Sequence, residues 1–239
     1  MISLVANENK KILKSKLIFG FLLSGALLIW LNITMYDPKL CDWKTDSLYT
    51  FPKGLVEIYI QILMFYIPIF VSSLVTKDLV DGTLKLSLIR EPSRIKNLIA
   101  KQISFIIFLA IGTLAFILMC YILAFIYYKN MIGLPLIRVN ILTDISSTLI
   151  LYGMTILPSI AYGLFTMLIG IIFKNAVIAN LVSITGLIFI FHTEIGMKFT
   201  MLDSLTRSES IGLSLILLFI SVMLVVINNI YLEKQDITY

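Results

Sequence analysis

Residues 145–173 read ISSTLILYGMTILPSIAYGLFTMLIGIIF, an uninterrupted stretch without Asp, Glu, Lys or Arg. A helix needs about 20 mainly apolar residues to cross the hydrocarbon core of a bilayer, and this stretch exceeds that length. Only Lys174 and Asn175 separate it from a second such run, Ala176 to Thr193, so the two are expected to form a tight antiparallel helical pair. Four more charge-free runs lie outward from this pair: Leu17 to Tyr36, Ile58 to Thr76, Ile103 to Tyr128 and Ser210 to Leu232. The whole chain has the same character. Of its 239 residues 59% are apolar and 14% charged, with a mean hydropathy of +0.98, whereas a soluble domain carries roughly a quarter charged residues. Such a chain cannot cover a water-soluble surface, and the same figures exclude a disordered, collagenous or disulfide-scaffold protein. Cys41, in a polar loop, and Cys120, inside an apolar run, are too differently placed to form a bridge. The expected fold class is an all-α integral membrane protein, one transmembrane domain over residues 1–239 with six transmembrane helices.

Leu17 to Tyr36 has no A-x-A-like cleavage site and is too long for a signal h-region, so it reads as a retained span. Six spans put both termini on one side. The segments on that side hold Lys10, Lys11, Lys14, Lys16, Lys77, Lys85, Arg90, Arg94, Lys96, Lys101, Lys174 and Lys234, against Lys39, Lys44, Lys53, Lys129, Arg138, Lys198 and Arg207 opposite. The positive-inside rule therefore makes both termini cytoplasmic. The net charge of +5 belongs to this asymmetry and does not point to nucleic acid. Outside the membrane, residues 194–209 carry Ile195, Phe199, Leu202 and Leu205 at helical spacing beside charged residues, the pattern of an outer amphipathic helix lying in the interface.

The spans lack the intramembrane charges expected of ion-coupled transporters and charge-selective channels. Glu57 stands just before the second span and shares a face with Gln61, as a solvated anchor would. His192, the only histidine, has no second ligand for a metal and reads as an interfacial polar residue. Small residues four apart (Gly20 and Ser24, Ser159 and Gly163, Thr166 and Gly170, Ala179 and Ser183) suit close helix packing. Pro68 and Pro158 are expected to kink spans two and four.

Charge and pattern coincide only in residues 77–102, KDLVDGTLKLSLIREPSRIKNLIAKQ. Gly82 breaks the helix and Thr83 can cap a short one over Leu84 to Arg90. Glu91 and Pro92 interrupt it. Ser93 can then cap a second helix that runs through Arg94, Lys96 and Lys101 directly into span three. Leu84, Leu86, Leu88 and Ile89 are too apolar to stand bare in cytosol, so lipid headgroups or a partner protein should cover them.

This segment resembles the permease subunits of type-two ABC exporters, of the bacterial peptide and drug export class. There an acidic residue, a spacer, Gly-Thr and a leucine-rich stretch follow span two, and a Pro-Ser-Arg-like turn and a Lys precede span three. The matching residues are Asp78, Gly82, Thr83, Leu84, Leu86, Pro92, Ser93, Arg94 and Lys101, with Asp78 where the family usually has Glu. The resemblance extends to an amphipathic N-terminal interface helix within residues 1–16, with Ile2, Val5, Ile12 and Leu13 on its apolar side, and to the six-span plan. It implies that residues 77–102 form the cytoplasmic coupling loop between spans two and three. Asp78, Asp81, Gly82, Thr83, Leu84, Leu86, Arg90 and Arg94 would then contact a separate ATP-binding subunit. No G-x-x-x-x-G-K-[ST] stretch occurs here, so the chain is not expected to be an enzyme or to hold a cofactor. ATP and Mg would sit in the partner. The implied assembly has two ATP-binding subunits and a second permease copy, identical or paralogous, in a bacterial cell membrane. Its expected cargo is an antimicrobial or amphipathic peptide, or a drug or toxin in self-immunity. The alternatives are a permease for lipid or polymer-linked glycan and a non-transporting membrane scaffold.

Overall fold

The computed structural model describes residues 1–35, 51–76, 94–131, 141–191 and 207–234. No strand occurs among them. In chain order the helices are α1 (Ile2–Lys14), α2 (Lys16–Met35), α3 (Phe51–Gly54), α4 (Val56–Val71), a π-helical turn (Ser72–Thr76), α5 (Arg94–Met131), α6 (Ile141–Phe173), α7 (Ala176–Phe191) and α8 (Arg207–Lys234). Among the described residues four stretches are long and apolar enough to cross a membrane: Val56–Thr76, Ile95–Ile126, Leu142–Phe173 and Gly212–Glu233. The bent pair α1 and α2 makes a fifth if it is counted as one span, and α7 is a shorter apolar helix. The expected helix over Leu84 to Arg90 lies outside the described residues, as does the expected outer helix over 194–209 up to residue 206; residues 207–209 are instead the first of α8.

The bend between α1 and α2 is 55°. It arises at Ser15, which is extended at ψ 142° while its hydroxyl bonds back to the Ile12 carbonyl at 2.7 Å. The buried side of α1 differs from the expected one. Ile12 is buried and Val5 half-buried, but Ile2 is 88% and Leu13 71% exposed. Residues three and four apart share a helix face, so the stripe through Val5 and Ile12 passes through Glu8. Leu13 is turned about 100° away from it.

α6 is the hub, packed against α4, α5, α7 and α8. Lipid tails are as apolar as leucine, so helices in a bilayer gain by close approach of their backbones. Gly20 and Gly163 are among the glycines that allow it. A Cβ at Gly20 would collide with the Tyr66 hydroxyl, which instead crosses to the Leu17 carbonyl at 3.0 Å and ties α4 to α2. A Cβ at Gly163 would run into the Phe105 ring, which packs between α5 and α6.

Pro68, inside α4, has no N–H to give the Met64 carbonyl. The Tyr162 hydroxyl of α6 donates to that carbonyl at 3.3 Å. Tyr162→Phe should therefore cost about 1 kcal/mol, the net worth of one such bond. A thermal melt in mild detergent that matched the parent chain would show that water or lipid serves the carbonyl equally well.

The link between α6 and α7 follows from its two residues. Lys174 takes a left-handed conformation, φ 49°, and closes α6 by donating its N–H to the Gly170 carbonyl at 3.1 Å. The Asn175 side chain caps α7, accepting from the N–H groups of Val177 and Ile178 at 2.9 and 3.3 Å. At the opposite end of the bundle the polar groups are buried and paired. Tyr59 and Thr113 share a hydrogen bond of 2.6 Å, and Tyr152 donates to the Pro52 carbonyl at 2.8 Å, tying α3 to α6.

Candidate functional site: the root of the 77–93 segment

The segment singled out by its sequence connects Thr76, the last residue of the π turn, to Arg94, the first residue of α5. Asp78, Asp81, Gly82, Thr83, Leu84, Leu86 and Arg90 lie outside the described residues. For Arg94 the structure describes the backbone, which begins a helix running unbroken through Lys96 and Lys101 to Met131.

Lys101 lies on α5, seven residues past Arg94, and its side chain is only 5% exposed. Its ammonium donates to the Leu74 carbonyl in the π turn at 2.6 Å and to Glu8 Oε2 of α1 at 3.3 Å. The other Glu8 oxygen accepts from Lys11 at 2.7 Å. One turn on, the Ser104 hydroxyl reaches the Val5 carbonyl at 3.5 Å. A single cation thus joins three elements: α1, the end of α4 and the start of α5.

The chemistry suits each partner. Carbonyls near the C-terminal end of a helix carry the negative pole of its dipole, and an ammonium is favourable there. Glu8, 13% exposed, supplies the countercharge that a buried ammonium requires. Lys11 is 62% exposed, so its contact with Glu8 is a surface pair worth about 0–1 kcal/mol.

The π turn has its own supports. The hydroxyls of Ser72 and Ser73 bond to the carbonyls of Ile69 and Phe70 at 3.0 and 2.7 Å, where the α-helix gives way to the wider turn. At its far end Thr76 packs against Gly170 of α6, so closely that a Cβ on Gly170 would collide with the Thr76 hydroxyl.

The sequence marks Lys101 as a basic residue of the helix leading into span three and as a match to the resembled family, but not as a buried one, and it does not single out Glu8. The signal was present: Glu8 follows Val5 by three residues and precedes Ile12 by four, an acid on the apolar stripe of an amphipathic helix. The π turn had one too, a Ser-Ser pair four and five residues after a proline, both known sites of helix distortion.

Farther along the bundle a cavity of about 500 Å³ opens between α4, α6 and α8, walled by Ile60, Ile67, Pro158, Ile216 and Leu224 among others. Thr155 and Ser159 also line it, but their hydroxyls bond to carbonyls of α6 at 2.7 Å. The cavity therefore offers almost no free polar group.

Residues 42–238 match the family described as "Protein of unknown function (DUF2705)". The chain belongs to that family. No curated protein and no solved structure matches it. Within the DUF2705 match fall the 77–93 segment, Leu74, Lys101 and the cavity, while α1 and Glu8 precede it.

Proposed function

We propose that this chain is the membrane-spanning permease subunit of an ATP-driven ABC exporter with six spans and both termini cytoplasmic. Its cargo is an antimicrobial or amphipathic peptide, or a drug or toxin in self-immunity, and its power comes from a separate ATP-binding subunit that carries ATP and Mg. The observation that carries this reading is the Lys101 clasp. A coupling loop is useful only if a push on it reaches the helices at both of its ends together. The two helical ends that bracket residues 77–93 are joined by a buried ammonium, which also secures α1. Counting α7 and the bent pair with the four long apolar helices supports the six-span plan. The basic residues of the N-terminus and of 77–102 support a cytoplasmic setting.

The deciding experiment is affinity purification of the tagged full chain from native membranes, in the expectation that an ATPase with Walker motifs co-purifies and that export requires it. Gly82→Val should leave insertion and ATPase association intact and lower export roughly tenfold, because a β-branched residue resists the turn that the sequence assigns to Gly82, at about 1–3 kcal/mol. Unchanged export by Gly82→Val, with no ATPase in the purified material, would leave a membrane scaffold as the better account. The apolar cavity favours a second cargo reading, a lipid, which flippase assays on the same complex in vesicles would separate from peptide export.

A further inference from the structure

The π turn carries an inference beyond the clasp. In this chain Thr113, Thr148, Thr155, Thr166 and Thr185, all in α-helices, each donate a hydroxyl hydrogen to a carbonyl three or four residues back, at 2.7–2.9 Å. That is the ordinary way a helical threonine satisfies itself. Among the threonines whose side chains the structure describes, Thr76, at the end of the π turn, departs from this: it is fully buried and its hydroxyl has no partner. A buried polar group in that condition calls for a reason.

Geometry supplies one. A π turn winds one extra residue into the helix, which displaces the carbonyls of Ser72 and Ser73 from where an α-helix would present them to Thr76. The same turn is held from outside by Lys101 on the Leu74 carbonyl and by the Gly170 backbone, which leaves room for the Thr76 side chain. External contacts hold the π register while an internal hydroxyl goes unserved.

We infer that Ser72–Thr76 is a two-register element, and that Thr76 is the positioning residue that favours its second, α-helical register by gaining the Ser72 carbonyl as acceptor. Absorbing the extra residue turns whatever follows Thr76 by about 100°, the angle per residue of an α-helix. Under the proposed function, on which this part rests, that rotation is how movement of the 77–93 segment enters α4. The change of register itself is a property of the chain alone.

The test is amide hydrogen exchange over residues 72–76, measured on the full-length chain in nanodiscs. Thr76→Val keeps the shape and removes the hydroxyl, so it relieves the π register and removes the reward of the α register; exchange in the turn should slow roughly tenfold. Thr76→Ser retains the hydroxyl and should exchange like the parent chain. Gly170→Ala places a methyl against the Thr76 hydroxyl and should quicken exchange. Equal exchange in the parent, Thr76→Val and Gly170→Ala chains would overturn the switch, whatever export does. With exchange altered as expected, Thr76→Val should also export less cargo per ATP in the assembled complex. Failure to find any associated ATPase would defeat the proposed function and leave the exchange result standing.

Discussion

Lys101→Met should cost the chain about 3–5 kcal/mol, the range found when one member of a buried ion pair is removed and the other stays behind. Two groups lose the Lys101 ammonium. Glu8 keeps Lys11 at 2.7 Å, but that lysine is largely in solvent and cannot replace a desolvated cation. The Leu74 carbonyl loses a short, charge-assisted bond of 2.6 Å. Methionine fills much of the same volume, so the loss is one of charge and hydrogen bonding more than of packing. Adding Glu8→Gln to Lys101→Met should recover a large part of the deficit, since removing both charges leaves no uncompensated ion. Urea or thermal unfolding in mild detergent would read all three chains against Lys14→Met, a substitution at an exposed position expected to stay within about 0.5 kcal/mol of the parent. A Lys101→Met chain as stable as the Lys14→Met control would remove the clasp from the account of this fold.

The clasp also shows which parts of this structure the sequence could disclose. Charge-free length is a direct signal, because a bilayer rejects ionised side chains over a fixed thickness. α6 accordingly ends at Phe173 where the run ends, and begins at Ile141, about one turn before the expected Ile145. Lys174 and Asn175 disclosed the hairpin because two residues leave the chain little choice, and Asn175 is a capping residue in the right place. The helix from Arg94 into span three followed from the proline before it. The burial of Lys101 was hidden by that same charge criterion: it lies on the expected helix but two residues before the apolar run Ile103 to Tyr128, outside the expected span. Only the helix that starts at Arg94 carries it into the bundle. The partners of each span were hidden for another reason. A helix apolar on all sides has no stripe to reveal its buried face, so Gly163 could be read as a packing residue but not assigned to Phe105. The π turn is a matter of hydrogen-bond register over five residues, too short for any periodicity to record.

Gly163→Val should be the other severe substitution, costing about 1–3 kcal/mol or more as an overpacked contact. A Cβ at this position would fall on the carbons of the Phe105 ring, so the ring or the backbone must yield. The ring has little room. Phe105 is fully buried, with Phe70 of α4 behind it at a centroid distance of 6.1 Å. The backbone is tethered as well, because Phe105 follows Lys101 by one turn of α5 and displacing α5 from α6 strains the bond to Leu74. Gly153→Ala on the same helix is the matched control. Nothing lies within 4 Å of a Cβ there, so helix propensity alone acts and should stabilise the chain by up to about 1 kcal/mol. Two glycines ten residues apart on one helix should thus answer in opposite directions. Trimming the ring with Phe105→Leu should rescue Gly163→Val in part while destabilising the parent chain, a coupling that only residues in contact display. Gly163→Val and Lys101→Met should likewise fall short of additive, since each already loosens the start of α5 that the other depends on. Full additivity in the double variant would mean that the helix contact and the clasp are independent, and that Lys101 holds the root of the 77–93 segment without help from the packing of α5 on α6.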